Sequence, residues 1–474
     1  MRKVKRTKIV ATIGPASADY ETLKQLVEEG MDVARINFSH GDHETHLKVV
    51  ERIRRLNEEE GTHIAILGDL QGPKLRVGEV KDSGVELLEG EMVELTTNEP
   101  KNGQIQVRYD SFAKDVQPGE TILIDDGKLK LIVEESDGKT KVNARVKHGG
   151  LLFSRKGVNL PDTTIRQPSL TPKDREDLEF AIHHDFDWIA LSFVRSARDI
   201  LELKHIINER KGRSRVIAKI EKPEALNEIT DIIVESDALM VARGDLGVEI
   251  PMQEVPLVQK MLIDRCREYS KPVIVATQMM ESMITNFQPT RAEVNDVANA
   301  VLDGTDAVML SGETSVGQFP VGVVRNMTSI VLRMEQYEKI YSRPQALVSV
   351  DTERMISDAI CATSAKLAES TAAKGIVTMT HSGYTANKIS SYRPKAQIFV
   401  FTGNRSLLNK LSLVWGVRGF YYDKMVSTDH TIADIKYILK KENMVEDGDL
   451  LINIASMPIS EQGMTNMLKL SKVK

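Results

Sequence analysis

Only two cysteines, Cys266 and Cys361, occur in 474 residues. That excludes a disulfide framework, and a reducing, cytoplasmic setting is expected. Long hydrophobic runs are missing too. None reaches the roughly 18 residues that a membrane helix needs, so no membrane partner is expected. The amino-terminal stretch MRKVKRTKIVATIG turns from basic to apolar, but IVATIG is too short for a signal-peptide core. Positive charge is not in excess. With 63 Lys and Arg against 68 Asp and Glu the net charge is -5, which gives no footprint for nucleic acid. Aromatic residues are sparse at 5%, and the two tryptophans, Trp188 and Trp415, are read as core or interface residues. No segment is of low complexity. What remains is ordinary for a globular chain, 41% hydrophobic and 28% charged. Its length predicts two or three domains.

The most informative stretch is VIAKIE, Val216 to Glu221. Val216, Ile217 and Ala218 read as a buried strand, with Lys219 and Glu221 at its end. Side chains alternate along a strand, so Lys219 and Glu221 share a face and Ile220 points away. A second apolar strand, Ala238 to Ala242, runs into Arg243-Gly244-Asp245-Leu246-Gly247, with Asp245 expected at the strand end. Such charges are costly to bury unless paired or bound to a metal. A structural salt bridge is the plain alternative for Lys219 and Glu221 alone.

Taken in order, the first segments alternate between strand and helix. Thr7–Gly14, Asp32–Ser39 and His63–Asp69 read as strands, and helices over Asp19–Glu29 and about His43–Glu60 separate them. Gly30 is placed to end the first helix. From about Gly72 to Pro168 the pattern becomes short β segments punctuated by DSG, LEGE, DDGK and KHGG, which predicts a small inserted β-barrel domain. Thr171 and Pro172 then open a helix. Strands follow at Trp188–Val194, Arg215–Glu221, Ala238–Asp245, Pro272–Gln278 and Ala307–Glu313. Three strands before the insertion and five after it predict a closed (β/α)8 barrel, with its chemistry at the C-terminal strand ends. An open doubly wound sheet is the alternative. From about Ser342 the pattern restarts, with strands near Gly375–Met379, Gln397–Phe401, Gly416–Tyr421 and Asp449–Ile454. This predicts an open α/β domain, with SRPQA at 342–346 as its linker. The expected boundaries are 1–71 with 169–341 for the barrel, 72–168 for the insertion and 342–474 for the last domain.

Glu221 and Asp245 are hard oxygen ligands suited to Mg2+ or Mn2+. Lys219 adds a point charge beside them, and Arg35, Arg76 and Lys156 are further cations near the predicted mouth. Such a site suits a phosphate-bearing substrate whose transition state spreads negative charge. The Gly244 and Gly247 backbone next to a helix start is a candidate anion site, though GDLG alone is a weak signal. His183-His184 lacks any matching carboxylate or cysteine spacing and is read as helix surface.

VIAKIEKPEAL at 216–226 resembles the active-site signature of pyruvate kinases. TKIVATIGPAS, ARINFSHG, KGVNLP, VARGDLGVEIP, ATQMMESM and PTRAEVNDVANAVLDGTDAVMLSGETSVGQFP resemble that family's blocks in the same order. The resemblance covers essentially the whole chain. It implies a (β/α)8 barrel, an inserted β-rich lid and an α/β domain. It also implies phosphoryl transfer from phosphoenolpyruvate to ADP, giving pyruvate and ATP. By motif position, Lys219 would stabilise the phosphoryl and enolate charge, and Glu221 and Asp245 would hold the divalent metal. The backbone of Ala242, Arg243 and Gly244 would seat the substrate carboxylate with Thr277, which lies near the face where the enolate is protonated. Arg35 would contact the transferring phosphate. Arg76 and Lys156 would meet nucleotide phosphates, with Asn37 and His40 nearby.

Many family members need K+, and the corresponding ligands here are Asn37, Ser39, Asp69 and position 70. Position 70 is Leu70, which has no hydroxyl, and Lys74 stands where the family has a glutamate. Both changes resemble a subset that needs no K+, the lysine doing the cation's electrostatic work. The loop Thr378–Thr385 leads from a strand into a helix. There the family places phosphorylated sugar effectors, which makes Thr380, Ser382, Gly383 and Thr385 candidates, although capping hydroxyls alone would look the same. A homotetramer is expected from the resemblance. Two other classes compete: a Mg2+-dependent barrel lyase or aldolase acting through a pyruvate enolate, and a non-catalytic regulatory relative. The lyase does not explain the insertion with Arg76 and Lys156. The regulatory relative does not explain an intact Lys219, Glu221, Asp245 and Thr277.

Overall fold

The computed structural model describes residues 4–81, 83–101, 103–341, 354–424, 427–457 and 464–474. The expected linker at 342–346 and Asp82 of the DSG turn lie outside the described residues. Eight short apolar segments form the strands of a closed parallel barrel: β1 Lys8–Thr12, β2 Val33–Asn37, β3 Ala65–Asp69, β4 Trp188–Leu191, β5 Arg215–Ile220, β6 Ala238–Ala242, β7 Val273–Ala276 and β8 Ala307–Leu310. Each pairs with its sequence neighbours, and β8 closes onto β1. Helices start where the chain offers a cap: Asp19 accepts from the Thr22 amide, and Thr171 with Asp174 forms a reciprocal capping box before Pro172. Gly30 ends the first helix at φ 125°, a backbone state that glycine adopts without a Cβ clash.

The floor of the barrel carries a repeated device that pattern reading misses. Asp32, Asp187, Asp237 and Asp306 each stand just before an even-numbered strand. The carboxylate of each accepts the amide of the preceding odd strand: Ile9 at 2.8 Å, Ile66 at 2.9 Å, Val216 at 2.8 Å and Val273 at 3.1 Å. Each aspartate amide donates back to the carbonyl of that same residue, at 2.9 to 3.0 Å. Cations from four places balance these acids: Lys5, Arg54, Lys204 and Arg393. The polar strand starts are thereby satisfied away from water.

Between β3 and β4 the insertion folds as a six-stranded sheet and a separate two-stranded ribbon. Val158–Asn159 forms one edge of the larger sheet, pairing with Ile124 and Leu123. Beyond the barrel, Gly375–Met379, Gln397–Thr402, Val417–Tyr421 and Leu450–Ala455 form a parallel sheet that Met467–Lys472 extends antiparallel. That last strand is not predicted by the sequence reading. It has a lysine-rich, half-exposed pattern with no apolar run to mark it.

The C-terminal unit closes the barrel floor. Arg393 donates to Asp306 at 2.9 Å, the Trp415 amide donates to the other oxygen of Asp306 at 3.2 Å, and Lys8 donates to the Val417 carbonyl at 2.9 Å. Leu413 enters the barrel interior itself, fully buried among Val10, Val33, Leu67, Trp188, Ile217 and Met309. Trp188 is core, and Trp415 lies buried where the two units meet. Deleting buried methyl groups costs their transfer energy plus a cavity, so Leu413→Ala should destabilise the protein by about 2–5 kcal/mol. Denaturant unfolding reads this, and a change below ~0.5 kcal/mol would mean that the barrel interior does not depend on this plug.

Candidate active site

Inward-facing positions recur every second residue, so Val10, Val33, Leu67, Ala190 and Ile217 in the apolar interior place Thr12, Arg35, Asp69, Ser192 and Lys219 as the next layer up. This layer is polar, and it sits at the C-terminal mouth. Arg35 donates to Asp69 at 2.7 Å and to Thr12 at 2.8 Å. Lys219 lies 3.1 Å from the other Asp69 oxygen, 3.0 Å from Glu221 and 2.7 Å from the Ser192 hydroxyl. Ser192 in turn donates to the Leu70 carbonyl at 2.7 Å. Glu221 also accepts the Phe193 amide at 2.7 Å. Asp69 and Glu221 are each only 1% exposed.

Burial sets the electrostatics and the partners decide its outcome. Desolvation alone would lower the Lys219 pKa, but Asp69 and Glu221 outweigh it and hold the ammonium above its usual range. Desolvation opposes ionisation of Asp69 as well, yet Lys219 and Arg35 keep that carboxyl below the usual carboxylate range. Glu221 goes the other way: burial pushes it up, and the nearby negative charge of Asp245 adds to the shift against the pull of Lys219.

Asp245 is not at a strand end as expected. β6 stops at Ala242, and Arg243–Glu249 is a short helix that carries Arg243, Gly244, Asp245 and Gly247. The sequence Arg-Gly-Asp-Leu-Gly hides this because its two glycines argue against a helix. The Gly244 amide is already engaged, donating to the Thr277 hydroxyl at 2.7 Å. The Arg243 guanidinium is taken as well, making two 2.7 Å bonds to Asp296 and one of 2.7 Å to the Thr277 carbonyl. Thr277 has φ 68° and the next residue, Gln278, has φ 55°. For a β-branched side chain that is strain of about 1–3 kcal/mol, a state found where function or tight packing holds the backbone.

The other expected residues are distributed as follows. Lys74 donates to Asp245 at 3.0 Å, which puts its ammonium on a candidate metal ligand. Leu70 is buried in the apolar core at 1% exposure. Asn37 accepts the Ser39 amide at 3.1 Å, and His40 is exposed. Arg76 and Lys156 lie together in the insertion: Arg76 pairs with Gly157 across a β-bridge, and Lys156 sits 2.8 Å from Asp125. In the C-terminal unit the Thr380 hydroxyl accepts the Gly383 amide at 3.0 Å, the Ser382 hydroxyl accepts the Tyr384 amide at 3.4 Å, and the Thr385 and Thr465 hydroxyls are 3.1 Å apart. His184 packs on Phe180 at 4.5 Å, while His183 is exposed.

Sequence reasoning left three contributors without a role: Thr12, Ser192 and Asp296. The first two follow the same two-residue spacing that exposes Lys219, so their signal was present. Asp296 sits in a helix far along the chain and carries no local signal. Among the described residues, no group of three or more His, Cys, Asp or Glu side chains is arranged to hold a metal. Glu221 and Asp245 are a pair of hard oxygen donors, and Mg2+ is usually held by one or two carboxylates plus substrate oxygens. Glu221 is buried and Asp245 half-buried beside it, and the repulsion between the two carboxylates fits a cation shared by both.

A closed βα barrel with buried cations and carboxylates at its mouth defines an enzyme class that handles small anionic substrates. Comparison with known proteins narrows this. The family model for the pyruvate kinase barrel domain matches residues 4–324, and that for the pyruvate kinase alpha/beta domain matches 358–471. A pyruvate kinase from Geobacillus stearothermophilus is 43% identical, across 98% of this chain and 80% of that protein. One from Corynebacterium efficiens is 44% identical, across 98% and 97%. The crystal structure of a Cryptosporidium parvum pyruvate kinase superposes with a TM-score of 0.92 at 35% identity, across 99% and 96% of the two chains. The chain therefore belongs to the pyruvate kinase family and is a phosphotransferase.

Asp69 is the shared counter-charge of Arg35 and Lys219. Breaking one partner of a buried pair leaves charge uncompensated, so Asp69→Asn should cost about 3–5 kcal/mol in thermal or denaturant unfolding. A loss under ~1 kcal/mol would show that the two cations do not need it.

Proposed function

We propose that the protein transfers the phosphoryl group of phosphoenolpyruvate to ADP, giving pyruvate and ATP, with Mg2+ (or Mn2+) and without a K+ requirement. The observation that carries this reading is the buried Arg35–Asp69–Lys219–Glu221 array with Asp245 beside it. In the reaction the bond between phosphorus and the enol oxygen breaks, and a bond to the terminal oxygen of ADP forms. Negative charge passes to the enolate oxygen, and Lys219, a fixed cation in a low-dielectric layer, stabilises it without reorganising. Arg35, held by Asp69 and Thr12, meets the transferring phosphate. A divalent ion held by Glu221 and Asp245 would supply charge neutralisation to the substrate's carboxylate and phosphate. The backbone of Ala242 to Gly244 and the strained Thr277 seat the carboxylate, and Thr277 lies by the enolate face that takes up a proton.

Arg76 and Lys156, with Asn37 and His40, serve the nucleotide phosphates, and the insertion (72–168) acts as a lid that keeps water from the phosphoryl group. The barrel (1–71 and 169–341) supplies the chemistry. The last domain (342–474) supplies contacts in a homotetramer and a phosphorylated-sugar site around Thr380, Ser382, Gly383 and Thr385. A reducing cytoplasm suits two buried, unpaired thiols, Cys266 and Cys361.

Independence from K+ rests on two positions. Leu70 offers no side-chain oxygen, and the Lys74 ammonium already stands at Asp245. Pyruvate formation should therefore be equal with and without K+ in matched Mg2+ buffers. A strong K+ requirement would discard the role given to Lys74, and silence in both buffers from folded protein would move the assignment to a lyase or a regulatory relative. Lys74→Glu should lower K+-free turnover at least about tenfold, with K+ restoring part of the loss.

A further inference from the structure

Besides the Lys74–Asp245 contact and the bonds from Arg195 to the Ile165 and Gln167 carbonyls, a buried polar joint fastens the insertion to the barrel. Asn159, on the edge strand of the insertion, donates to Glu249 at 2.7 Å, and Lys222 donates to the same oxygen at 2.7 Å. All three residues are buried, each 6% exposed. Glu249 also borders a cavity of about 20 Å3 with Lys74, Arg195 and Glu224. That is room for one water and too little for a ligand, so the cluster is a joint and not a pocket.

The positions of its members matter more than the energy of the bonds. Lys222 follows Glu221 directly, and Glu249 lies four residues, one helical turn, beyond Asp245. On the other side, Asn159 is three residues from Lys156. Its neighbour Val158 donates to the Leu75 carbonyl at 2.9 Å, next to Arg76. The Asn159 pairing with Leu123 leads to Asp125, the partner of Lys156. One carboxylate thus ties the insertion segment that carries Arg76 and Lys156 to both segments that carry Glu221 and Asp245.

We propose that Asn159 is a positioning residue, which through Glu249 and Lys222 sets the register of the insertion's cations over the barrel mouth. The kinetic part rests on the nucleotide role given above to Arg76 and Lys156. Asn159→Asp places two carboxylates against each other. The double variant Asn159→Asp/Glu249→Gln returns one carboxylate and one amide, with Lys222 still paired. The full-length variants are compared by KM for ADP and for phosphoenolpyruvate, and by amide hydrogen exchange around Leu75 and Val158.

Asn159→Asp should raise the KM for ADP about tenfold, as expected for a lost charge-assisted hydrogen bond, and hold that for phosphoenolpyruvate within about twofold. Exchange at the Val158 amide, which donates to the Leu75 carbonyl, should speed up, and the double variant should recover both the exchange and the KM. If exchange speeds up and recovers while the KM for ADP stays put, the joint stands and the nucleotide role of Arg76 and Lys156 falls. Unchanged exchange in Asn159→Asp, or no recovery in the double variant, would overturn the joint.

Discussion

The site depends on one carboxylate that two cations share. Asp69 is buried in the top layer of the barrel, with Arg35 on one oxygen and Lys219 on the other. Asp69 is the carboxylate partner of Arg35 and shares Lys219 with Glu221, and the two cations offset the cost of burying its charge. The three side chains come from β3, β2 and β5, so the array exists only when the barrel is closed and in register. The same closure sets the inward alternation that places Thr12 and Ser192 against the cations. Chemistry and fold therefore rest on the same constraint.

The barrel is held from both ends. At the floor, four aspartates bridge odd strands to even ones, and the C-terminal unit joins this ring through Arg393, Trp415 and the Leu413 plug. Arg215, the first residue of β5, also donates to the carbonyl of Ser382 in the 378–385 loop. The strand that ends in Lys219 thus begins against the C-terminal unit. At the mouth, the short helix Arg243–Glu249 is pinned by Asp296 and Thr277, so its backbone is set by residues distant in sequence.

Much of this was legible in the chain, for physical reasons. Eight apolar segments with polar ends have one economical closure, and a lysine and a glutamate two residues apart at a strand end have to share a face. The insertion announced itself by a change from helical to two-residue periodicity. Contacts made at a distance were less legible. The Arg243 side chain carries no local sign of its partner Asp296, 53 residues further along the chain. Lys74 was read against a monovalent site and is found on Asp245. The floor aspartates did leave a trace, since MDVARIN, FDWIALS, SDALMVA and TDAVMLS share an aspartate before an apolar strand. The hydrogen bond that gives this repeat its meaning runs to another strand, which no local pattern displays.

The central claim is that the buried Lys219 ammonium carries the transition-state charge. Its most direct test is pyruvate formation by Lys219→Gln, a change that keeps a donor for Ser192 but removes the charge. The account predicts turnover lower by about 10²- to 10³-fold or more with the fold intact. Turnover within about tenfold of the parent enzyme would contradict it, because the chemistry would then not depend on the charge around which this mouth is built.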